Sequence, residues 1–452
     1  MDPFGCVKNQ VDAENMMASL NGAGWVSAED AGDADIIIIN SCGFIESAKQ
    51  ESINAVLSWK KMYPEKKILL AGCLAQRYAK ELAESLPESD GLFGNTNPGG
   101  IVEAAAALTD ANTKYDTCSH TFHPPPNQRF DSTLPGTTGQ RPLLSLPGSA
   151  YVKIAEGCNN RCTFCSIPLI RGGLRSRPIP EILAECRELL DRGIKELCLI
   201  GQDIGSYGRD FSGDESVLQG SLLPHLLGAL SGFKGDFWVR LLYIHPDNFP
   251  LPILDIMQHD KRFLPYFDLP FQHGSEKILK LMSRRGNVES CLSLIEKIRA
   301  RLPDAVIRST FLLGFPGETD EDFAALLDFQ EKAQLDWLGC FTYSREEDTP
   351  AYAMKAQVPK KIAAERKRII EERQVSITEK RMDRFVGREF DVLVEEAVDE
   401  EDGLYLGRLY CQAPEVDGAA VITAAQSSKI TPGVFVRGKV TGRAGFDLEV
   451  RV

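Results

Sequence analysis

Three cysteines in one short loop constrain this chain more than any other feature of its sequence. The loop follows a short apolar run, Tyr151 to Ile154, which predicts a strand, and it carries Cys158, Cys162 and Cys165. Thiolates this close together can bind one soft metal centre. A zinc site usually takes four protein ligands, and no fourth Cys or His follows nearby. An iron–sulfur cluster held by three cysteines would leave one iron open, and that iron could chelate a small molecule.

The spacing CxxxCxxC, with Phe164 directly before the last cysteine, resembles the signature of radical S-adenosylmethionine (SAM) enzymes. The resemblance implies that Cys158, Cys162 and Cys165 hold a 4Fe-4S cluster whose open iron binds the amino and carboxylate groups of SAM. An injected electron would then cleave the cofactor to a 5′-deoxyadenosyl radical. A structural zinc loop and three incidental thiols are the alternatives.

Composition limits where the chain can work and what it can bind. Of its 452 residues, 43% are hydrophobic and 25% are charged, which is ordinary for a globular protein with an ample core. No apolar run is long enough to span a bilayer, and the start MDPFGCVKN does not resemble a signal peptide. We therefore expect a cytoplasmic protein without membrane contact, whose twelve cysteines bind metal or are buried. A net charge of −13 argues against a generic nucleic-acid binder.

Residues 1–109 predict a doubly wound parallel sheet, because apolar strands alternate with helical patterns. The runs ADIIIIN and KILLA are continuous, as expected for strands buried on both faces. Cys42 and Cys73 follow these two strands. Loops at the carboxyl ends of parallel strands converge on one crevice, so these cysteines should meet. Cys6 would join them if it too followed a strand.

The trio Cys6, Cys42 and Cys73 resembles the N-terminal domain of methylthiotransferases, in which three such cysteines hold an auxiliary 4Fe-4S cluster. Without the radical SAM motif downstream, each of the three could equally be an ordinary buried thiol. The family has a full strand before its first cysteine, whereas only Met1 to Gly5 precede Cys6 here. Either the recorded start is short or the first strand is curtailed.

Residues 110–143 lack a sustained period and are rich in Pro, Gly and Thr, which predicts a linker. Cys118, His120 and His123 lie in this stretch. A zinc site there would need a fourth ligand, so we interpret the three as surface polar residues.

Residues 144–374 predict a central domain of six strand–helix units. Five apolar runs, ELCLI, FWVRLLYI, YFDLP, VIRSTFLL and LGCFTY, follow the strand before the cysteine loop. Six units are fewer than the eight of a closed barrel. The resemblance to radical SAM enzymes implies a partial, open barrel.

Active sites of parallel barrels lie at the carboxyl ends of the strands, and two loops there carry glycine and acidic residues. Glycine lets the backbone approach a nucleotide closely, while carboxylates and amides can hold its amino group or ribose. The resemblance implies that SAM is bound by residues at these strand ends, namely Gly201, Gln202, Asp203, Gln272, Gly314 and Glu318.

Residues 377–452 change to short strands separated by turns, which predicts a small antiparallel barrel of the oligonucleotide-fold type. This region resembles the TRAM domain, often an RNA binder. Residues 388–452, however, carry twelve acidic and seven basic side chains. Phosphate binding requires positive charge, so this barrel is expected to face a basic protein, and direct binding of transfer RNA is not expected.

The order of the three domains resembles the radical SAM methylthiotransferase family over nearly the whole chain. Two substrates are known in that family, an aspartate on a small-subunit ribosomal protein and an adenosine in transfer RNA. The stretches GFIESAKQESI, VKIAEGCNNRCTFCSIPLIRG and CQAPEVDG resemble the ribosomal-protein branch, whose substrate is the protein numbered twelve. The alternatives are the transfer-RNA branch and, more distantly, a non-enzymatic zinc-binding scaffold.

The predicted reaction adds a methylthio group to the aspartate β-carbon. It must break an unactivated C–H bond, which no side-chain base with a pKa near 7 can do, so a cofactor radical is required. The resemblance implies two 4Fe-4S clusters, a second SAM as methyl donor, and an external electron donor such as a flavodoxin or ferredoxin.

Overall fold

A computed structural model describes residues 1–95, 97–109, 141–211, 220–425 and 430–452. The described chain divides into two compact units. The N-terminal unit contains Met1–Leu144, Ala155–Asn160 and Cys165–Arg177, and the C-terminal unit contains Ser145–Ile154, Arg161–Phe164 and Pro178–Val452.

Most of the predicted linker, with Cys118, His120 and His123, lies outside the described residues. The domain boundaries predicted from the sequence therefore stay predictions. None of the helices in the described ranges combines the length and hydropathy that a bilayer span requires.

The N-terminal unit is built on a parallel sheet. Its elements in chain order are β1 (Asp2–Pro3), α1 (Val7–Gly22), β2 (Ile36–Ser41), α2 (Glu46–Met62), β3 (Lys67–Gly72), α3 (Cys73–Arg77), α4 (Ala79–Ser85), β4 (Gly91–Phe93) and α5 (Ile101–Thr109). The strands lie side by side in the order β1-β2-β3-β4, and every neighbouring pair is parallel.

Helices cover both faces of this sheet, which confirms the predicted fold of the unit. Ile38 and Leu69 enter one apolar core with side chains from α1 and α5. Ile37 and Leu70 enter the opposite core with side chains from α2 and α4. Successive residues of a strand point to opposite faces of the sheet. Because both faces pack against helices, residues on both sides must be apolar, and the apolar runs are therefore continuous.

The region of the cysteine loop begins with β5 (Ser149–Lys153), followed by β6 (Ala155–Glu156), α6 (Ile167–Arg171) and β7 (Arg175–Ser176). Strand β5 belongs to the C-terminal unit, and the other three elements belong to the N-terminal unit. Strands β6 and β7 pair antiparallel, so the chain that leaves β6 returns to it after the three cysteines.

The C-terminal unit contains a large parallel sheet. Its further elements are α7 (Ile179–Asp191), β8 (Glu196–Ile200), α8 (Leu223–Ser231), β9 (Trp238–Leu241), α9 (Ile253–His259), β10 (Phe263–Asp268), α10 (Glu276–Leu281), α11 (Val288–Arg301), β11 (Val306–Leu313), α12 (Asp320–Ala333), β12 (Trp337–Thr342) and α13 (Lys360–Met382). The strands lie in the order β5-β8-β9-β10-β11-β12, all parallel. The sheet is open between β5 and β12, which confirms the predicted six-unit partial barrel.

A closed barrel of five short strands ends the chain. Its strands are β13 (Glu389–Asp399), β14 (Leu404–Arg408), β15 (Ala420–Thr423), β16 (Phe435–Ala444) and β17 (Asp447–Arg451). They close in the order β13-β14-β15-β17-β16, as predicted for this region. Four of the pairs are antiparallel, and the pair β15–β17 is parallel.

Buried charges join the closed barrel to the parallel sheet within the C-terminal unit. Glu196 of β8 accepts hydrogen bonds from Arg240 Nε of β9 at 2.7 Å and from Arg408 Nη2 of β14 at 2.5 Å. Ser149 donates to the same carboxylate at 2.8 Å. Glu196 and Arg240 have no exposed surface, so each depends on the other's charge for its stability in the interior.

Candidate metal centres and cofactor loops

The three N-terminal cysteines stand at the carboxyl ends of three neighbouring strands. Cys6 follows β1, Cys42 follows β2, and Cys73 follows β3 as the first residue of α3. Strand β1 is only two residues long but pairs with β2, through Asp2 with Ile39 and Pro3 with Asn40. Cys6 thus does follow a strand, which was the condition for it to join the other two.

Close backbone packing brings the loops of this trio together. A Cβ atom on Gly5 would lie 2.8 Å from Cys42 Cβ, and one on Gly43 would lie 2.7 Å from the carbonyl oxygen of Cys73. The loop before Cys6 thus packs on Cys42, and the loop after Cys42 packs on Cys73. Glycine is required at both contacts because any side chain would push the cysteines apart.

Asn9 on α1 fixes the ends of β1 and β2. Its Nδ2 donates to the carbonyl oxygens of Phe4 at 2.6 Å, and of Asn40 and Ser41 at 3.2 Å each. Asn40 Nδ2 donates back to the Asn9 carbonyl oxygen at 2.6 Å. These bonds hold the chain on either side of Cys6 against the end of β2.

Two nitrogen donors point at the sulfur of Cys73. Asn95 Nδ2 lies 3.1 Å from Cys73 Sγ, and Arg171 Nη2 lies 3.2 Å from it. Arg171 also pairs with Asp12 at 2.9 Å and with Glu156 at 2.8 Å, and it is 3% exposed. Burial opposes its charged form, but Cys73, Glu156 and Asp12 raise the pKa of Arg171 well above its usual value, so it is a permanent cation.

The thiols of the trio act on one another electrostatically. Burial, together with the neighbouring Cys73 and Cys6, raises the pKa of Cys42 to about 12. Burial also raises the pKa of Cys73, against the opposing charge of Arg171. The thiol is therefore the stable form of Cys42 and Cys73 without metal, so iron must displace their protons when it binds, whereas Lys8 and Arg171 lower the pKa of Cys6 against the effect of burial.

The donor set fits an iron–sulfur cluster, whose ligands are cysteine thiolates on different irons. Within the described residues, no group of three or more Cys, His, Asp or Glu side chains is arranged to surround a single metal ion. Three cysteines at the ends of adjacent strands, with N–H donors aimed at one sulfur, are the ligand type and surroundings that such a cluster requires.

The cysteine loop contributes residues to both compact units. Cys158 and Cys165 lie in the N-terminal unit and Cys162 lies in the C-terminal unit. In the N-terminal unit the Cys158 N–H donates to the carbonyl oxygen of Gly172 at 3.1 Å. Gly157 has φ +74°, and a Cβ there would lie 2.1 Å from the Gly173 carbonyl oxygen, so only glycine allows the chain to return this closely.

In the C-terminal unit, Cys162 lies beside a neutral histidine and an arginine. Its Sγ is 3.9 Å from His245 Nε2, which in turn is 2.6 Å from Arg284 Nη1. Burial and the charges of Arg284 and Arg285 lower the pKa of His245 to about 2, so its ring is uncharged at neutral pH. Burial raises the pKa of the Cys162 thiol, and Arg284 opposes that effect.

The backbone next to Cys162 is fixed by the C-terminal end of α10. Thr163 donates through its N–H to the carbonyl oxygen of Met282 at 3.2 Å and through its hydroxyl to that of Leu281 at 2.8 Å. Phe164 packs edge-on against Phe315, with ring centroids 6.5 Å apart. The aromatic residue of the motif therefore contacts the predicted cofactor loop after β11.

The two carboxylates predicted to bind SAM fix the loops at the strand ends. Asp203 accepts from the N–H groups of Gly205 at 3.1 Å and His245 at 3.0 Å, and from Asn248 Nδ2 at 2.6 Å. Glu318 Oε2 accepts from the Gly314 N–H at 2.7 Å, and its Oε1 accepts from Arg366 at 2.6 Å. Burial acts against the charge of Glu318, but His273, whose Nε2 lies 3.5 Å from Glu318 Oε2, and Arg366 lower the pKa of Glu318, so it is ionised.

The remaining predicted residues stand at the ends of these strands. Gly201 and Gln202 directly follow β8, and Gly314 follows β11 with φ +75°. Gln272 lies after β10 with φ +71°, a strained conformation for a residue other than glycine. Its N–H donates to Thr310 O at 2.8 Å and its carbonyl oxygen accepts from Leu312 N at 2.8 Å, so β11 holds it in place.

Sequence reasoning missed the polar partners of the cysteines. Asn95, Arg171, His245 and Arg284 were not singled out, although Arg171 lies in the motif stretch itself, six residues after Cys165. Its charge within the apolar segment IPLIRG was the available signal, because a charge in such a segment needs a buried partner.

Comparison with known proteins places each region in a family. Residues 1–94 match the uncharacterized protein family UPF0004, residues 152–329 match the radical SAM superfamily, and residues 386–452 match the TRAM domain. The radical SAM methyltransferase TsrM from Kitasatospora setae, solved with cobalamin and a 4Fe-4S cluster bound, has a similar fold. Its TM-score is 0.51 at 12% identity, over 75% of this chain and 70% of that chain.

Curated relatives cover nearly the whole chain. The ribosomal protein uS12 methylthiotransferase RimO of Treponema denticola is 48% identical over 99% of both chains. RimO of Syntrophomonas wolfei is 41% identical, over 98% of this chain and 97% of its own.

Fold and matches together define a radical SAM enzyme, which implies 4Fe-4S clusters and SAM as cofactors. The chain belongs to the RimO family of methylthiotransferases. The predicted enzyme class is therefore confirmed, and neither the transfer-RNA branch nor a non-enzymatic scaffold is favoured.

Proposed function

We propose that this protein adds a methylthio group to the β-carbon of an aspartate on ribosomal protein uS12. The observation that carries the proposal is the 48% identity to a RimO protein over 99% of both chains. An alignment of this length includes all three domains. The reaction replaces one C–H bond of the aspartate by a C–S bond.

Cys158, Cys162 and Cys165 would hold the radical SAM cluster. When bound, that cluster supplies the electron that cleaves SAM and so starts the radical chemistry. Around it, this chain's own residues fix the loop. Thr163 anchors the backbone next to Cys162, and Arg284 places a cation near the Cys162 sulfur.

Cys6, Cys42 and Cys73 would hold the auxiliary cluster that stores or delivers sulfur. The support for this assignment is their common position after β1, β2 and β3, together with the two N–H donors at Cys73. The close packing of Gly5 on Cys42 and of Gly43 on the backbone of Cys73 also supports the assignment.

The SAM site would be formed by the strand-end residues predicted from the sequence, Gly201, Gln202, Asp203, Gln272, Gly314 and Glu318. Asp203 and Glu318 would act by shaping loops, since Asp203 accepts hydrogen bonds from its own loop and from the loop after β9, and Glu318 accepts two from its own loop. Backbone groups and Gln202 would then contact the cofactor.

A basic ribosomal protein fits the charge of the terminal barrel, whose residues 388–452 carry an excess of five acidic side chains. The same charge disfavours contact with transfer RNA, because phosphate binding requires cationic side chains. The radical reaction also requires a one-electron donor, for which a flavodoxin or ferredoxin is suitable.

Anaerobic turnover tests the substrate. The reconstituted protein is incubated with SAM, a sulfur source and reductant, and with either uS12 or transfer RNA, and the products are analysed by mass spectrometry. We expect a methylthio mass on one aspartate of uS12 and none on RNA. Modified adenosine in place of modified aspartate would contradict the proposal.

A further inference from the structure

Arg171 occupies a position in the N-terminal unit that salt-bridge formation alone does not explain. Its Nη1 binds Glu156 at 2.8 Å, while its Nη2 is shared between Asp12 at 2.9 Å and Cys73 Sγ at 3.2 Å. Two carboxylates would satisfy a buried guanidinium. The third contact directs an N–H group and a permanent positive charge at a cysteine 98 positions earlier in the chain.

Asn95 gives the same sulfur a second donor. Its Nδ2 lies 3.1 Å from Cys73 Sγ, and it follows β4, the strand next to β3. Two donors from separate parts of the chain thus converge on one thiol. A thiol needs at most one acceptor for its own proton, whereas a metal-bound thiolate accepts hydrogen bonds, so this arrangement suits the thiolate.

Hydrogen bonds to the sulfurs of an iron–sulfur cluster and nearby charge both set its reduction potential. An N–H group or a cation near a coordinating sulfur stabilises the added electron of the reduced cluster. Arg171 acts from an interior position, where charges interact more strongly than in water. Both donors therefore raise the potential of a cluster held by Cys73.

We propose that Arg171, assisted by Asn95, sets the reduction potential of the auxiliary cluster through hydrogen bonds to Cys73. The inference rests on the proposed function, because it requires Cys73 to be a cluster ligand. It adds to that function a positioning residue, Arg171, which lies on α6 directly after the radical SAM cysteines.

The electron balance of the proposed reaction explains why a higher reduction potential would be useful. A carbon-centred radical that joins a methylthiolate forms a two-electron C–S bond from three electrons. One electron is left over, and a 4Fe-4S cluster held by Cys6, Cys42 and Cys73 would be able to accept it. A higher potential favours that transfer and thus favours product formation over reversal.

The potential can be measured without any turnover. In the variant Cys158→Ala/Cys162→Ala/Cys165→Ala, only the auxiliary trio can bind a 4Fe-4S cluster. This protein is reconstituted anaerobically and titrated with dithionite, and the reduced cluster is followed by electron paramagnetic resonance. In this background we expect Arg171→Gln and Asn95→Leu each to shift the midpoint potential to more negative values. Arg171→Lys should give a smaller shift than Arg171→Gln because it keeps the charge.

Two further variants separate this role from a structural one. Asp12→Asn removes a salt-bridge partner of Arg171 but leaves the bond to Cys73, and it should shift the potential in the positive direction because a negative charge is lost. Arg141→Lys alters another buried ion pair of α1, with Glu14, and should leave the potential unchanged. A purely structural Arg171 would instead give the same change for Asp12→Asn and Arg171→Gln.

The outcomes distinguish the inference from the function on which it rests. If the triple-cysteine variant binds no iron, the assignment of the auxiliary trio is wrong. If it binds a cluster whose midpoint potential stays the same after Arg171→Gln, Arg171→Lys and Asn95→Leu, the role of Arg171 is wrong and the assignment stands. Should Arg171→Gln lose its cluster, Arg171→Lys and Asn95→Leu still decide the question.

Discussion

Replacing Glu196 by glutamine removes the buried negative charge between Arg240 and Arg408 without changing the size of the side chain. Breaking a buried ion pair from one side costs about 3–5 kcal/mol, because it leaves an uncompensated charge in the interior. Burial opposes the charge of Glu196, but Arg408 and Arg240 lower its pKa from 4.5 to about 2. At about 1.4 kcal/mol per pKa unit this corresponds to roughly 3 kcal/mol, in agreement with the first figure.

The sign of the pH dependence follows from the direction of this shift. The folded-state pKa is depressed, so the stabilisation by Glu196 is fully present above the unfolded value of 4.5 and is lost as the pH falls towards 2. The parent protein and Glu196→Gln should therefore differ in their free energy of unfolding by a constant amount from about pH 6 to 8. This difference should become smaller below pH 4.5.

Thiol labelling of the folded protein measures how easily the structure opens near Glu196. Cys411 is fully buried beside this cluster, and the charges of Arg384 and Arg240 act on it. Opening that is easier by about 3 kcal/mol should increase its labelling rate about 100-fold, as read by peptide mass spectrometry. Glu395→Gln is the matched control on Arg408: burial raises the pKa of Glu395 despite Arg408, so its charge contributes less. Equal labelling rates in the parent and Glu196→Gln proteins at pH 7 would refute the reasoning.

Three further predictions address the sites. Cys162→Ala should abolish reductive cleavage of SAM, measured as 5′-deoxyadenosine, whereas Cys42→Ala should keep cleavage and lose methylthiolation; normal methylthiolation by the Cys42 variant would contradict the division of labour between the clusters. Gly72→Ala should lower the iron bound by the auxiliary trio, since Gly72 has φ +95° and a Cβ would lie 2.5 Å from Asn40 Oδ1, a strain of about 1–3 kcal/mol next to Cys73. Gly22→Ala is the control, because a Cβ on Gly22 has no atom within 4 Å. Equal iron content in the two variants would contradict the predicted effect of strain at Gly72. Arg366→Gln should weaken SAM binding about tenfold in calorimetry, because it removes the partner of Glu318 and loosens the loop at Gly314. Arg368→Gln breaks only exposed pairs on the same helix and should bind SAM normally; an unchanged affinity in Arg366→Gln would show that the loop does not depend on Glu318.

The sequence alone determined the layered architecture of the protein. Strands β2 and β3 were recognisable because burial on both faces demands an unbroken apolar run, and β11 was predicted with its observed bounds, Val306–Leu313. The positions of Cys42 and Cys73 directly after such strands could likewise be predicted. Because parallel strands end at one edge of a sheet, the two cysteines were expected to lie near each other. A strand was predicted over residues 237–244, but β9 covers only Trp238–Leu241, since apolar residues continue into the loop that carries His245.

Only the tertiary structure decided which charges are buried together. Glu196 stands in the run ELCLI and looks like any polar residue at the start of a strand, yet it meets Arg408, which is 212 positions away. Arg171 likewise reaches Cys73 across 98 positions. Periodicity reports which face of an element is buried, but it carries no information on which distant side chain will stand opposite. That pairing depends on how whole elements pack, and at these buried positions it determines both stability and the surroundings of the proposed cluster.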